Sequence, residues 1–363
     1  MKEPENMLPK LLFTTLNDPN DVRIWSGLVF NIARVLERQG FDVEFMGNIL
    51  RDQRMLLKAV ERGRSILTGR AVVPVDRRTS TAQRIAIQIE NRLMRSDASI
   101  VFAPSSIPLA LVDTDRPKVF YTDATFAGII HQYPELADYP AEFLKEGHEL
   151  ERASLRNCDL AMYSSEWAAR SAVEDYQADP SKIIVIPFGS NLGSETDAVQ
   201  VTKAISDRSS EECHLLFVGV HWQRKGGDVV LETLEQLRKM GMEVHLHIIG
   251  CVPPHDQLPD HVHVEPFLDK RRSADRQKLI ELILKSHFLI LPTRADCTPI
   301  VVNECNSLGV PCLTSDVGGL PEMIKNGVNG HLFEVDVRGS DYAEVIAKYM
   351  GDRAAYEQLA NNA

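Results

Sequence analysis

Short apolar runs alternate along this chain with longer segments whose apolar residues recur at helical spacing. Residues 11–16 form the first run, a helical pattern follows residues 25–27, and residues 41–46 form the next run. Further runs predict strands at 98–103, 118–121, 160–163, 183–186, 214–220, 243–249, 287–291, 311–315 and 331–334. Strands that alternate with helices build parallel sheets covered on both faces. The pattern therefore predicts an α/β protein with doubly wound parallel sheets.

A polar segment divides this pattern in two. Residues 192–212 are rich in Ser, Thr, Asp and Glu and contain few large apolar side chains, which is typical of a linker. A chain of 363 residues is long enough for two domains of ordinary size. We predict an N-terminal domain at 1–191, a linker at 192–212 and a C-terminal domain at 213–363.

Composition narrows the class of protein further. The chain is 44% hydrophobic and 25% charged, with a net charge of −11, which is typical of soluble globular proteins and argues against a nucleic-acid binder. No apolar run approaches the length of a membrane span, and the first ten residues are too polar for a signal peptide. Six cysteines without a Cys-x-x-Cys pair indicate reduced thiols. We expect a cytoplasmic protein.

A strand-to-helix turn at residues 291–300 is the first candidate site. Thr298 is placed where a helix N-cap belongs, Pro299 at the first helical position and Gly309 at the C-terminal end. Such a turn directs backbone N–H groups and the positive end of a helix at one point. We therefore predict that Thr298, Pro299, Ile300 and Val301 bind a phosphate or another anionic group.

Two carboxylates flank this turn. Asp296 precedes the helix, and Glu304 lies inside it within an apolar segment. Seven residues separate the two carboxylates. An enclosed carboxylate needs hydrogen-bond donors, and sugar hydroxyls are suitable ones. The alternative is that Glu304 is a solvated helix residue. Further along, Gly318 and Gly319 would let the backbone approach a ligand closely.

These residues resemble the signature of family four of the retaining nucleotide-sugar glycosyltransferases, which have the two-domain GT-B fold. The family motif is Glu, seven residues, Glu, then Gly-Gly-x-Pro-Glu; this chain has Asp296, Glu304 and the sequence Gly-Gly-Leu-Pro-Glu at 318–322. The resemblance implies two Rossmann-like domains facing a cleft. It also implies that Glu304 holds the ribose hydroxyls and that Asp296 contacts the transferred sugar. Asp at 296 departs from the motif and leaves the donor sugar open.

A basic glycine loop after strand 214–220 is the second candidate site. The sequence His-Trp-Gln-Arg-Lys-Gly-Gly at 221–227 leads into a helix, an arrangement that binds phosphates. Arg224 and Lys225 would stabilise a diphosphate and the charge that develops on it as the sugar leaves. Relatives often carry an arginine where this chain has Val220, so Arg224 is expected to replace it. The alternative is two exposed cations before a helix.

Three further positions carry weaker signals. Gly27 is found where relatives keep a glycine-containing loop facing the cleft, although it could serve only the turn. Asp123 occupies the position at which many relatives have a histidine. It would contact the acceptor or the donor sugar, or cap a helix. By the same resemblance residues 262–267 lie beside the nucleobase, and Phe267 or Leu268 lines its pocket.

Two groups of titratable residues remain open. Residues 51–95 contain eleven Lys or Arg against four Asp or Glu, which favours either docking on an anionic membrane or a solvated basic helix face. The pairs His245/His247 and His261/His263 show no third ligand at metal-binding spacing, so strand histidines are the better interpretation and no metal site is predicted.

The resemblance therefore implies a retaining hexosyltransferase that moves a sugar from a UDP- or GDP-sugar to a sugar, lipid or small-molecule acceptor, without a required cofactor. Two alternatives stay open: an epimerase or hydrolase of nucleotide sugars, and a GT-B module that binds without turnover. Relatives end with a helix that crosses back onto the first domain. Residues 354–359 are the candidate for it unless it is missing here.

Overall fold

In this computed structural model the chain forms two compact units, Met1–Pro187 and Phe188–Ala363. The structure describes residues 8–69, 71–136, 138–193, 197–254, 258–265 and 267–363. Within these residues each unit contains one six-stranded parallel sheet with flanking helices. The predicted fold class, an α/β chain with two doubly wound parallel sheets, is confirmed.

The sheet of the first unit has the strand order β2-β1-β3-β4-β5-β6. Its strands are β1 (Leu11–Thr14), β2 (Val43–Met46), β3 (Ile100–Ala103), β4 (Lys118–Thr122), β5 (Leu160–Tyr163) and β6 (Ile183–Val185). Its helices are α1 (Leu28–Arg38), α2 (Arg51–Thr68), α3 (Thr79–Leu93), α4 (Phe126–Gln132), α5 (Ala141–Asn157) and α6 (Glu166–Tyr176). Short 3-10 helices lie at Ile24–Gly27, Val75–Arg77, Ile107–Leu109, Pro134–Leu136 and Pro180–Lys182.

The sheet of the second unit has the order β12-β11-β10-β7-β8-β9. Its strands are β7 (Glu212–Val218), β8 (Glu243–Ile249), β9 (Val262–Glu265), β10 (Phe288–Leu291), β11 (Cys312–Ser315) and β12 (Gly330–Phe333). Its helices are α7 (Ala198–Asp207), α8 (Gly227–Lys239), α9 (Ser273–Lys285), α10 (Ile300–Asn306), α11 (Leu320–Met323), α12 (Gly339–Met350) and α13 (Arg353–Asn361).

Each sheet has a topological switch point beside its first strand. In the first unit the chain runs from β1 to β2 and then returns to the other side of β1 with β3; in the second it returns beside β7 with β10. Helices from the two directions diverge there, which leaves a crevice at the carboxyl ends of the strands. The loops after β7 and β10 meet at the switch point of the second unit.

The predicted linker at 192–212 instead contains α7. Asp197 caps this helix by accepting from the backbone N–H of Gln200, and Ile205 is buried in the core of the second unit. Val201 packs partly buried against the same core, and Arg353 donates to the carbonyl oxygens of Ile205 and Ser206. These few contacts attach an otherwise polar helix, which composition alone does not reveal. The unit boundary falls between Pro187 and Phe188, four residues before the predicted one.

The start of α10 also differs from expectation. The helix after β10 begins at Ile300, and its N-cap is Pro299 rather than Thr298, because Pro299 has an extended ψ of 119°. Pro299 is therefore not the first helical residue. Residues 354–359 lie in α13, where Tyr356 and Leu359 are buried in the core of the second unit.

Five imidazoles form a row on the second sheet, from β7, β8, β9 and the residue before β10; we call them the histidine row: His214, His245, His247, His263 and His287. Ring centroids are 5.1 Å apart for His214 and His245 and 5.0 Å apart for His247 and His263. The row lies towards the amino ends of the strands, away from the switch point. In the part of the chain that the structure describes, no group of three His, Cys, Asp or Glu side chains is arranged to hold a metal ion.

Candidate functional site

The loop between β7 and α8 presents two cations at the switch point of the second unit. Backbone hydrogen bonds from Lys225 N to His221 O (3.0 Å) and from Gly227 N to Trp222 O (2.9 Å) fold the loop into a tight turn. Gly226 has a φ of 77°, and a Cβ on it would lie 2.0 Å from the carbonyl oxygen of Pro292. Glycine is required there because this loop packs directly on the loop that follows β10.

Asp296 accepts contacts from both cations. Lys225 Nζ lies 2.6 Å from Oδ2 of Asp296, and an Arg224 guanidinium nitrogen lies 3.4 Å from Oδ1. The same Arg224 nitrogen donates to the carbonyl oxygen of Ala295 at 2.5 Å. Lys225 and Asp296 are both buried. The structure thus brings together three of the predicted site residues, and Arg224 and Lys225 are not two unrelated exposed cations.

The glycine turn after β11 supports Asp296 from the other side. Gly319 N donates to Cys297 O at 2.8 Å. Gly318 has a φ of 56°, and a Cβ on it would lie 2.1 Å from the carbonyl oxygen of Asp296. The backbone of Asp296 is therefore enclosed by the loops after β7 and β11.

Glu304 is buried in α10, with 2% of its side chain exposed. Burial raises the pKa of its carboxyl group, and the positive charge of Lys270 opposes that shift. Lys270 Nζ donates to Oε1 of Glu304. The alternative of a solvated Glu304 is therefore wrong, and the enclosed carboxylate has a cationic partner that sequence reasoning missed.

The other predicted binding residues lie on the same edge of the second sheet. Thr298 is buried in the loop between β10 and α10, and Ile300 is buried as the first residue of that helix. Val301 is half-buried in the first turn of α10, and Phe267 is an exposed aromatic side chain after β9. Asn303 Nδ2 donates to the carbonyl oxygen of Phe188 at 2.7 Å, which holds the first residue of this unit against α10.

The two remaining predicted residues belong to the first unit. Gly27 is buried, has a φ of 86° and is the N-cap of α1. Asp123 is half-buried between β4 and α4. Thr125, and not Asp123, is the N-cap residue of α4, and its hydroxyl accepts from Gly128 N at 3.0 Å.

Several cations of the basic segment 51–95 form ion pairs with carboxylates of the first unit. Arg54 pairs with Asp76, and further pairs are Arg64–Glu61, Arg77–Glu151, Arg78–Glu146 and Arg92–Glu44. The exposed cations on α2 are Arg51, Lys58 and Arg62. None of the helices that the structure describes is both long and apolar enough to span a bilayer.

Comparison with known proteins identifies the family and the fold of this chain. A family model described as "Glycosyl transferases group 1" matches residues 200–363, and one described as "Glycosyltransferase Family 4" matches residues 28–193. The first structural match, sucrose-phosphate synthase from Thermosynechococcus elongatus, has a TM-score of 0.69 and 15% identity over 98% of this chain and 92% of that one. The fold is GT-B, with two Rossmann-like domains.

The chain belongs to the group 1, family-four-like glycosyltransferases. It is similar to D-inositol 3-phosphate glycosyltransferase from Corynebacterium aurimucosum, with 22% identity over 66% of this chain and 59% of that protein. Matches to two relatives of the same name cover 52% and 47% of their lengths, so the chain spans about half of these proteins. Anabaena Alr3699/HepE, solved with UDP and glucose, matches with a TM-score of 0.59 and 16% identity over 98% of this chain and 93% of that one.

Proposed function

We propose that the chain is a retaining hexosyltransferase that uses a nucleoside diphosphate sugar as donor. The observation that carries this proposal is the contact of Lys225 and Arg224 with Asp296 at the switch point of the second sheet. Two fixed cations beside a carboxylate suit a diphosphate joined to a sugar. Cations stabilise the leaving charge, and a carboxylate orients hydroxyl groups. UDP is the first nucleotide to test because the HepE structure contains UDP.

In the proposed reaction the bond between C1 of the sugar and the β-phosphate oxygen breaks, and its electron pair leaves on that oxygen. The acceptor hydroxyl oxygen bonds to C1 on the same face, and its proton passes to the departing phosphate. Arg224 and Lys225 hold the phosphate charge, Asp296 orients the sugar, and Glu304 binds the ribose hydroxyls. Because fixed cations take the role that a divalent ion has elsewhere, the proposal requires no metal.

Binding of donor is tested by protection against thermal unfolding. UDP, GDP and their glucose conjugates are added to wild type, Lys225→Ala and Glu304→Ala. A donor at a hundred times its Kd should stabilise wild type by about 2.7 kcal/mol, and both variants should lose that protection. The matched control is Lys239→Ala, because Lys239 is exposed at the opposite end of α8. If no nucleotide protects wild type, the proposal is overturned.

Turnover then separates the alternative functions. A transferase consumes donor only when an acceptor is present, whereas a hydrolase or epimerase consumes it alone. A binding module leaves the donor intact in both cases. We expect acceptor-dependent consumption, with the anomeric configuration of the product retained when it is read by NMR. An inverted product would contradict the retaining mechanism.

An exposed apolar stripe on α2 bears on the acceptor. The stripe faces solvent and consists of Met55 (62% exposed), Leu56 (67%), Val60 (60%), Ile66 (84%) and Leu67 (86%). At 3.6 residues per turn these side chains span an arc of about 140°. The exposed cations Arg51, Lys58 and Arg62 flank that arc. An apolar stripe beside a basic edge is the pattern of helices that lie in anionic membrane interfaces. The stripe supports a lipid acceptor used at a membrane surface by an otherwise cytoplasmic enzyme.

Vesicle sedimentation tests this part of the proposal. The protein should bind vesicles that contain phosphatidylglycerol and bind phosphatidylcholine vesicles weakly, and Leu56→Gln/Leu67→Gln should abolish binding. Val199→Gln is the matched control, since Val199 is an exposed apolar residue on α7. Equal binding by the double variant would exclude the stripe as the docking surface, and failure of wild type to bind either kind of vesicle would favour the solvated basic face.

A further inference from the structure

Lys270 is the one cation of a consecutive basic triplet that turns inward. Its neighbours Arg271 and Arg272 pair with Asp269 and Asp275 at the surface. Lys270, with 21% of its side chain exposed, pairs instead with the buried Glu304. The pair joins the loop before α9 to α10, and both segments follow carboxyl ends of strands in the second sheet.

The backbone that carries Lys270 is fixed before any ligand arrives. Arg272 N donates to Asp269 O at 2.8 Å, which closes a tight turn with Lys270 at its second position. Asp269 N donates to Oδ2 of Asp275 at 3.0 Å, which ties the turn to the start of α9. A cation on such a turn has a defined direction, unlike a flexible surface lysine.

We propose that Lys270 is a positioning residue that engages Oε1 of Glu304 and thereby directs Oε2 at the ribose hydroxyls of the donor, which sets the preference for ribose over deoxyribose. This inference rests on the proposed function. An ionised carboxylate accepts hydrogen bonds from hydroxyls more strongly than a protonated one, and a buried carboxylate stays ionised only with a cationic partner. A site built to bind a hydroxyl discriminates against a ligand that lacks it.

The test compares UDP with 2′-deoxy-UDP and 3′-deoxy-UDP by calorimetry. Wild type should prefer UDP over at least one deoxy analogue by about tenfold or more. Lys270→Met and Lys270→Gln should lower that ratio to near one, while Lys270→Arg, which keeps the charge, should retain most of it. Lys278→Met is the control, because Lys278 lies on α9 and pairs with Glu265 at 2.5 Å. Thermal unfolding identifies any variant that fails to fold, and the second neutral variant then carries the comparison.

The outcomes separate the two proposals. If wild type binds no nucleotide, the proposed function itself fails. If wild type discriminates and both neutral variants keep the same ratio, the nucleotide site stands and the role of Lys270 is refuted. An equal loss of affinity for UDP and the deoxy analogues would also refute it, because that result indicates a phosphate contact. Loss of the ratio alone, with rescue by arginine, supports it.

Discussion

Gly318 links backbone conformation to the position of Asp296. Its φ is left-handed, and a Cβ at this position would lie only 2.1 Å from the Asp296 carbonyl oxygen, which leaves no room for a side chain. Gly327 has a similar φ of 72° but nothing within 4 Å of the corresponding position. The two glycines therefore share a backbone cost and differ in the steric contact.

Gly318→Ala should destabilise the protein more than Gly327→Ala. Both variants lose about 1 to 2 kcal/mol because alanine disfavours left-handed backbone, and only Gly318→Ala also displaces the Asp296 carbonyl. Urea unfolding measures the two losses. Nucleotide protection should weaken in Gly318→Ala alone. Equal losses in stability would show that the loop at 296 yields without cost.

Residue identities at this site were partly predictable. Asp296, Lys225 and Arg224 could be selected because they come shortly after the ends of two predicted strands. The structure brings them into contact. Lys270 could not be selected, since three consecutive cations have the same local signal. Only the turn at 269–272 determines which of them points inward.

At the scale of elements, we expect three buried members of the histidine row to make the second sheet sensitive to acid. Burial lowers the pKa of His214 to about 3 and those of His247 and His287 to about 4. Nearby cations, Lys285 for His214 and His247 and Arg208 for His287, lower these pKa values further. Glu265 opposes the shift at His247.

Stability of the second unit should therefore fall as the pH drops below about 6.5, the pKa of histidine in the unfolded chain. The unfolded state binds more protons between that pH and about 4, so this stabilisation is complete above pH 6.5 and is lost on acidification. Each histidine should contribute about 2 kcal/mol of loss by pH 5.

The free energy of unfolding measured from pH 8 to pH 5 checks this prediction. His247→Gln should reduce the slope by about a third, since one of three buried histidines is removed. An unchanged slope would assign the acid sensitivity to other groups.

Elements were predicted better than their attachments. The bounds of β8 and β5 match the apolar runs because each strand is covered by the sheet's own helices. α7 was missed because few of its side chains, Ile205 and Val201 among them, pack on the core. The apolar residues of α2 give an ordinary amphipathic pattern, and their exposure became visible only in the fold.

At the scale of the whole molecule, each unit has a complete sheet and its own apolar core. A chain consisting of Phe188–Ala363 should therefore fold alone with a cooperative transition and retain nucleotide protection if the proposed function holds. Circular dichroism and thermal unfolding check this. A non-cooperative transition would mean that the second unit depends on the first for stability.

The contact of Lys225 and Arg224 with Asp296 means that the resting site carries its own counter-ion. If the proposed function holds, an arriving diphosphate exchanges with an internal anion instead of meeting two unpaired cations. Small anions such as sulfate offer one group for that exchange and should compete poorly, whereas a diphosphate offers two. The protein would then keep its donor site available in a cell crowded with free phosphate.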